Sequence, residues 1–437
     1  MANQQSSKKN MRVCIMTLGS RGDVQPYVAL GKELIKKGHS AIICTGGSFK
    51  QFVEENGVEF KETASDLMAI AATPEGKAIL EHPLKNFRLA LRYSKYVINP
   101  AYRKTLDDFY DAAKGADIII YHPKALGAVD IAVDLGIACV SMPPVPITFP
   151  VGEFANLAVT HKNLGPVLNR LTYKVNEKAE SSQINEINDF REKTLGLQKR
   201  KAGIYSYTDG QNKIPVIYPI SPRLFPDVTS WNRQVFLSGF LYLETNETLS
   251  DELKKFLEDG KKPIVVTFSS MPLSEPEKFM HKLVQALKVA DERAVILTGN
   301  SGITGNSSKD CFFTESCPHL SLFQYATGVV HHGGAGTMAA ALKSGIPQQI
   351  IPFSVDQPFW ADRLYKLGYG LKPLKEKNLS TEDLVNSFKM MNDFVIQTKA
   401  KEIGEKINVE KGNERIVEYL EHLRFSRIYP KESYDKG

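Results

Sequence analysis

The sequence predicts an α/β chain of two domains, each built on a parallel, doubly wound sheet. Three observations carry this. The 437 residues exceed the roughly 250 to 300 at which a single hydrophobic core stops growing. Short apolar runs alternate with amphipathic segments, as strands buried on both faces alternate with covering helices. A charged, strand-poor stretch then divides that alternation into two series.

Met11 to Leu18 (MRVCIMTL) is a continuous apolar run that ends in GSRGD, and a periodic segment follows from Pro26 to Lys37 with a stop at Gly38. That is strand, glycine turn, helix. Ser40 to Thr45 gives a second strand, and the pattern recurs at Ala116 to Tyr121, Ala128 to Leu135 and Ile137 to Met142. Strand signals fade between Pro143 and Asn212, where PPVPITFP leads into a polar, helix-like region from Leu164 to Thr194; an insertion of this kind often caps a cleft. Ile214 to Ser221 and the run VFLSGF close a first domain expected over 11–240. A linker is expected over 241–262, ending before Pro263. The second domain, 263–412, has strands expected at Ile264 to Phe268, Ala294 to Leu297, Gly328 to Val330 and Gln349 to Pro352, with helices near Pro276 to Ala290 and Gly336 to Ser344. A last helix, about Asn413 to Phe425 within 413–430, is expected to pack back on the first domain.

The net charge of +6 is dispersed rather than gathered in a basic block, which argues against nucleic acid as a partner. Cys14, Cys44, Cys139, Cys311 and Cys317 are an odd set without a CxxC, three of them in apolar runs, and predict reduced core thiols in a cytoplasmic protein. MANQQSSKKN lacks the apolar core of a signal peptide, and no run reaches the roughly 18 to 20 apolar residues of a membrane span, so membrane contact is expected to be peripheral at most.

The most informative segment is HHGGAGT, His331 to Thr337, directly after a strand and directly before a helix. Its glycines let a ligand approach the backbone, and helix N–H groups with the positive dipole end point at it, which suits a diphosphate. His332 and the Thr337 hydroxyl are expected to donate to phosphate oxygens; the alternative is a tight turn with a satisfied core histidine. Downstream, Asp356 and Gln357 lie between a strand end and a helix, where a carboxylate and an amide suit vicinal sugar hydroxyls, or where Asp356 merely caps the helix. Ser269 and Ser270 end the second domain's first strand, as a phosphate contact or as an ordinary turn. In GSRGD the acid Asp23 would repel a diphosphate. It reads either as a general base across the cleft, taking a proton from an attacking hydroxyl, or as the N-cap of a helix beginning near Gln25 or Pro26. His122 follows the run ADIIIY and is a possible auxiliary group in the same cleft, whereas His39 follows a helix-ending glycine as a surface or cap residue. The chain contains no Asp-x-Asp pair and no cluster with metal-ligand spacing, so neither a cofactor nor an obligate metal is expected.

The segments TLGSRGDVQPYVALGKELIKKGH, HHGGAGT and PFSVDQPFWADRLYKLGYG together resemble the family-1 type glycosyltransferases, nearest the sterol glucosyltransferases and the bacterial glycopeptide and macrolide glycosyltransferases. The resemblance runs from about Met11 to Gly370. It implies the GT-B fold, two Rossmann-like domains facing across a cleft, and a metal-independent, inverting transfer from a nucleotide sugar, expected to be UDP-glucose. The family's base then falls on Asp23, its diphosphate contacts on His332, Gly334, Gly336, Thr337 and Ser270, and its sugar contacts on Asp356 and Gln357. Ser20 and Arg21 match a first-domain loop that nears the donor. Ser316 stands near where plant members place a tryptophan, which leaves Pro318 and His319 for the base, and Ser269 replaces the first glycine of the usual Gly-Ser-Met. The acceptor is expected to be a lipophilic hydroxyl, sterol-like first and a polyketide, flavonoid or macrolide second. A sugar-nucleotide-binding protein without catalysis is the alternative of another class. A dehydrogenase is disfavoured because the first glycine loop lacks GxGxxG.

Overall fold

The computed structural model describes residues 10–82, 85–203, 208, 212–244, 248–269 and 271–426. Seven strands, β1 (Arg12–Met16), β2 (Ser40–Gly46), β3 (Glu59–Thr63), β4 (Ile118–Tyr121), β5 (Ala138–Ser141), β6 (Val216–Tyr218) and β7 (Val235–Leu237), form a parallel sheet in the order β3-β2-β1-β4-β5-β6-β7. Five more, β8 (Ile264–Thr267), β9 (Ala294–Leu297), β10 (Cys311–Thr314), β11 (Gly328–His331) and β12 (Gln348–Ile350), form a second parallel sheet in the order β10-β9-β8-β11-β12. The two α/β units are therefore those the alternating apolar runs predict.

Strand order supplies what the sequence could not. Each sheet reverses its winding beside its first strand, between β1 and β4 in one domain and between β8 and β11 in the other. A crevice opens beyond the carboxyl ends of the strands at such a switch point. Asp23, His122, Ser269 and His332 all lie just past the ends of these four strands.

The β1, β4, β8 and β11 side chains are almost wholly buried because helices cover both faces of each sheet. β3 and β10 escape the sequence reading because they are edge strands with partly exposed side chains, EFKET and CFFT. The expected linker is in part a helix, Asp251–Glu258, whose Leu253, Phe256 and Leu257 pack with Val265 and Val295 of the second domain. Their helical spacing sinks one face into the core while the charged face gives the stretch its linker-like composition.

One core cluster crosses between the domains. Phe154 lies 5.2 Å from Phe359 and Phe225 6.0 Å from Trp360 between ring centroids. Arg363 ties the same face together, pairing with Asp227 at 2.9 Å through Nη1. The closing helix, Gly412–Ser426, returns to the first domain, where Ile416, Val417 and Leu420 join its core and Asn413 Nδ2 donates to the Ala29 carbonyl at 3.3 Å. No helix among the described residues is long and apolar enough to cross a membrane.

Candidate active site

The first-domain half of the site is built by the turn after β1. The helix there begins at Arg21 with Ser20 as N-cap, a turn earlier than Pro26 suggests, and runs to Lys36. Asp23 is consequently the third residue of the helix and not an N-cap. Its Oδ2 accepts from the Ser20 N–H at 2.8 Å and the Ser20 hydroxyl at 3.0 Å, as the acid of a capping box does. This contact starts the helix early and leaves Pro26 inside it. Gly19, at φ +144°, is required here, since a Cβ on it would stand 2.2 Å from Asp23 Oδ2.

Two further groups hold the carboxylate. His122 Nε2 lies 3.1 Å from Oδ1 and Lys124 Nζ 3.0 Å from Oδ2. The Lys124 N–H donates to His122 Nδ1 at 3.0 Å, which places the imidazole proton on Nε2, directed at Asp23. Burial pulls the His122 pKa down against the pull of Asp23, so the ring is neutral. For Asp23 burial opposes ionisation, but His122, Lys124 and Ser20 together outweigh it and hold the acid well below the usual carboxylate range. Ser20 thus positions Asp23. Arg21 is laid back on the first domain, its Nε 3.1 Å from Gln25 Oε1 and its guanidinium 4.3 Å from the centre of the Phe52 ring. Lys124 escaped the sequence reading, although its place two residues after His122 was a signal.

In the second domain, β11 delivers the glycine loop to the helix Ala335–Ser344. Gly334 is its N-cap; no side chain caps it and no acid lies in the first turn, so the leading N–H groups keep their free valences for a ligand. The three glycines have different reasons. Gly333 sits at φ +91°, and a Cβ there would lie 2.8 Å from Ile350 Cγ2. A Cβ on Gly334 would lie 2.4 Å from His332 Nε2. At Gly336 it would meet no protein atom within 4 Å. Protein packing therefore accounts for the first two and leaves the third to whatever approaches the helix end.

The two histidines of the loop divide their roles. His331 is fully buried, its Nε2 3.0 Å from Gln348 Oε1 and its Nδ1 accepting from the Gly333 N–H at 3.1 Å, and burial pushes its pKa down to about 3. It is structural. His332, pushed down to about 4 chiefly by burial and then by His319, is neutral and serves as a hydrogen-bonding group, not a charge. Thr337 lies in the first helical turn and is largely buried. His319 opens the short helix His319–Phe323, stacks on Phe323 at 5.1 Å between centroids, and is pushed by burial down to about 4.

Asp356 and Gln357 open the helix Gln357–Leu367 beside this loop; a Cβ on Gly333 would lie 3.4 Å from Gln357 Cβ. Asp356 does not cap the helix by its side chain; its Oδ2 accepts the Trp360 indole N–H at 2.8 Å. Gln357 is narrower in its use than expected, because Oε1 already accepts from the Phe353 N–H at 2.9 Å and the Ser354 N–H at 3.3 Å, leaving its NH2 to donate. Burial raises the Asp356 pKa, and the negative charge of Asp23 adds to the rise, so the two domains' carboxylates share one electrostatic field. Ser270 lies outside the described residues. Its neighbour Ser269 (φ +53°) and Val355 (φ +57°) hold left-handed backbone that non-glycine residues avoid, Val355 as a β-branched residue most of all. Strain of this kind collects at functional sites.

Both domains resemble known proteins. Residues 13–113 match the glycosyltransferase family 28 N-terminal domain, and residues 283–423 match the erythromycin biosynthesis protein CIII-like C-terminal domain. Two sterol 3-beta-glucosyltransferases of Arabidopsis thaliana are 34% and 30% identical over 94% and 98% of this chain, which spans 66% and 70% of their own lengths. Among solved structures, the glycotransferase of kitacinnamycin superposes with a TM-score of 0.69 at 17% identity, covering 95% of this chain and 99% of that one. That likeness shows the fold, GT-B.

Proposed function

Because the chain belongs to the family of the sterol 3-beta-glucosyltransferases, we propose that it transfers glucose from UDP-glucose to the hydroxyl of a sterol-like acceptor, with inversion and without a metal ion. The observation that carries the reading is the geometry at the two switch points: a carboxylate held by Ser20, His122 and Lys124 at the first, and a glycine loop leading into a helix start without a side-chain cap at the second. The sterol preference rests on the names of relatives similar across nearly the whole chain. With a lipophilic acceptor of that kind, the protein would meet it at a membrane surface from the cytoplasmic side.

The reaction is a single displacement. The acceptor oxygen attacks the anomeric carbon while its proton passes to Asp23 Oδ2, and the bond from that carbon to the β-phosphate oxygen breaks on the opposite face. Asp356 Oδ1 and the Gln357 NH2 hold sugar hydroxyls. The leaving diphosphate is received by the free N–H groups at Gly336 and Thr337, by His332, and by the positive end of the helix dipole, which is where charge develops. In the resting site Lys124 occupies Oδ2. An acceptor hydroxyl must take its place, and the carboxylate regains base strength as it does so, while His122 keeps Oδ1 oriented.

Asp23→Asn tests this. It keeps the shape and removes the base, so kcat is expected to fall by about 10² to 10⁴ with UDP affinity within twofold of the parent protein. Equal losses in turnover and donor affinity, or no loss of turnover, would overturn the role given to Asp23.

A further inference from the structure

One long helical rod in the first domain changes character along its length. The helix Phe87–Tyr93 runs without a break through a wider π turn, Ser94–Ile98, into the helix Asn99–Ala113. Pro100 explains the wide turn, because it has no N–H to return to the carbonyl four residues before it. The C-terminal part buries Tyr102, Leu106 and Phe109, while residues 87–98 bury none. Phe87, Leu91 and Tyr96 are 60%, 55% and 67% exposed.

The charge around these side chains has one sign. Between Glu81 and Asp107 the chain contains no acidic residue and six basic ones, among them Lys85, Arg88, Arg92 and Lys95. None of these four forms an ion pair among the described residues. Phe87 and Leu91 stand four apart on one helical row, and Arg88 and Arg92 stand four apart on the next. Like charges at that spacing weaken a helix, and no fold contact requires them. An apolar row beside a cationic row on an exposed helix is the pattern of segments that lie in the headgroup layer of a bilayer, with aromatic residues at the same level.

The rod is also tied to the site. The Tyr102 hydroxyl lies 3.1 Å from the Lys124 carbonyl and 2.8 Å from that of Leu126, pinning the rod to the loop that carries His122 and Lys124. Leu91 is then about 16 Å along the axis from this pin, at 1.5 Å per residue.

We propose that the exposed face of residues 85–97 docks on an anionic lipid bilayer and holds the cleft at its surface, so that a lipophilic acceptor enters without crossing water. The purpose rests on the acceptor class proposed above; the binding itself does not. A second copy of the chain is a poor occupant, since it would set cationic rows against each other.

Flotation with phosphatidylcholine vesicles, with and without one third phosphatidylglycerol, tests the surface on the intact protein. The parent protein is expected to bind the anionic vesicles and to leave the neutral ones. Phe87→Ser with Leu91→Ser, and Arg88→Glu with Arg92→Glu, should each weaken that binding by at least about tenfold, with unchanged thermal melting because all four side chains are exposed. Absence of vesicle binding by the parent protein, or variants that bind as it does, would overturn the proposal. So would binding of polyglutamate without binding of vesicles, which would assign the face to an acidic protein. Vesicle binding is read whether or not any sterol is glucosylated, so failure of the acceptor assignment and failure of this surface give different results.

Discussion

Replacing Gly336 by alanine should move stability and donor affinity in opposite directions. The added methyl meets no protein atom within 4 Å, and Gly336 is not among the residues at positive φ. Alanine in place of a helical glycine therefore stabilises, by about 0.5–1 kcal/mol, or about 1–3 °C in Tm for a domain of this size. The same methyl stands beside the N–H that receives a phosphate oxygen. A charge-assisted N–H···O contact closes to about 2.8 Å, and a methyl intruding there displaces the oxygen. Losing one hydrogen bond to a charged group costs about 1.5–3 kcal/mol, which is about 10- to 150-fold in the UDP dissociation constant. Calorimetric titration with UDP and a thermal melt of the same preparation read both effects. A raised Tm with UDP affinity unchanged within twofold would refute the assignment of the diphosphate to this helix end.

Two further outcomes follow from the charges. Lys124→Met removes an ammonium 3.0 Å from Asp23 Oδ2; at that distance the interaction is about 1.4 kcal/mol even at the dielectric of water, or about one pKa unit, and the half-exposed lysine sits near that lower limit. Turnover should rise a few-fold as Asp23 becomes more basic, with less than about 1 kcal/mol lost in a urea melt, and a tenfold fall in turnover would instead make the ammonium a participant in the reaction. His319, His331 and His332 are neutral in the fold, with pKa values of about 4, about 3 and about 4, but protonate near 6.5 when unfolded. The unfolded state then binds more protons between those limits, so their contribution is intact above pH 6.5 and drains away as pH falls towards 4, by up to about 1.4 kcal/mol per unit for each ring. His332→Asn should remove one ring's share, up to about 1.4 kcal/mol per pH unit, from the slope of stability against pH over pH 6.5 to 5; an unaltered slope would show that His332 titrates as it does in the unfolded chain.

What could be read from the sequence was local chemistry. HHGGAGT, the Asp356–Gln357 pair and GSRGD announce themselves because glycine conformation, helix-start N–H groups and side-chain charge act within a few residues. What could not be read depends on the third dimension. Asp23 and His122 are far apart in the chain and meet only because β4 inserts beside β1. The early start at Arg21 comes from the Asp23 side chain, three residues beyond the N-cap Ser20, outweighing the usual place of proline at a helix start. The separate reasons for Gly333, Gly334 and Gly336 need the positions of Ile350 and His332. Trp360, which holds Asp356, reads in sequence as one more core aromatic. The polar strand Glu59–Thr63 and the amphipathic helix inside the expected linker show the same limit, since burial on one side only leaves a composition that looks like loop.

The most direct test is mass-spectrometric detection of hexose transfer from UDP-glucose, run beside UDP-galactose and dTDP-glucose, to a mixed panel of sterols, flavonoids and macrolides. The account predicts one glucose added to a sterol hydroxyl from UDP-glucose, abolished by Asp23→Asn. Transfer to phenolics or macrolides alone would contradict the acceptor assignment, and UDP binding without transfer to any acceptor would contradict the reading of the site as catalytic.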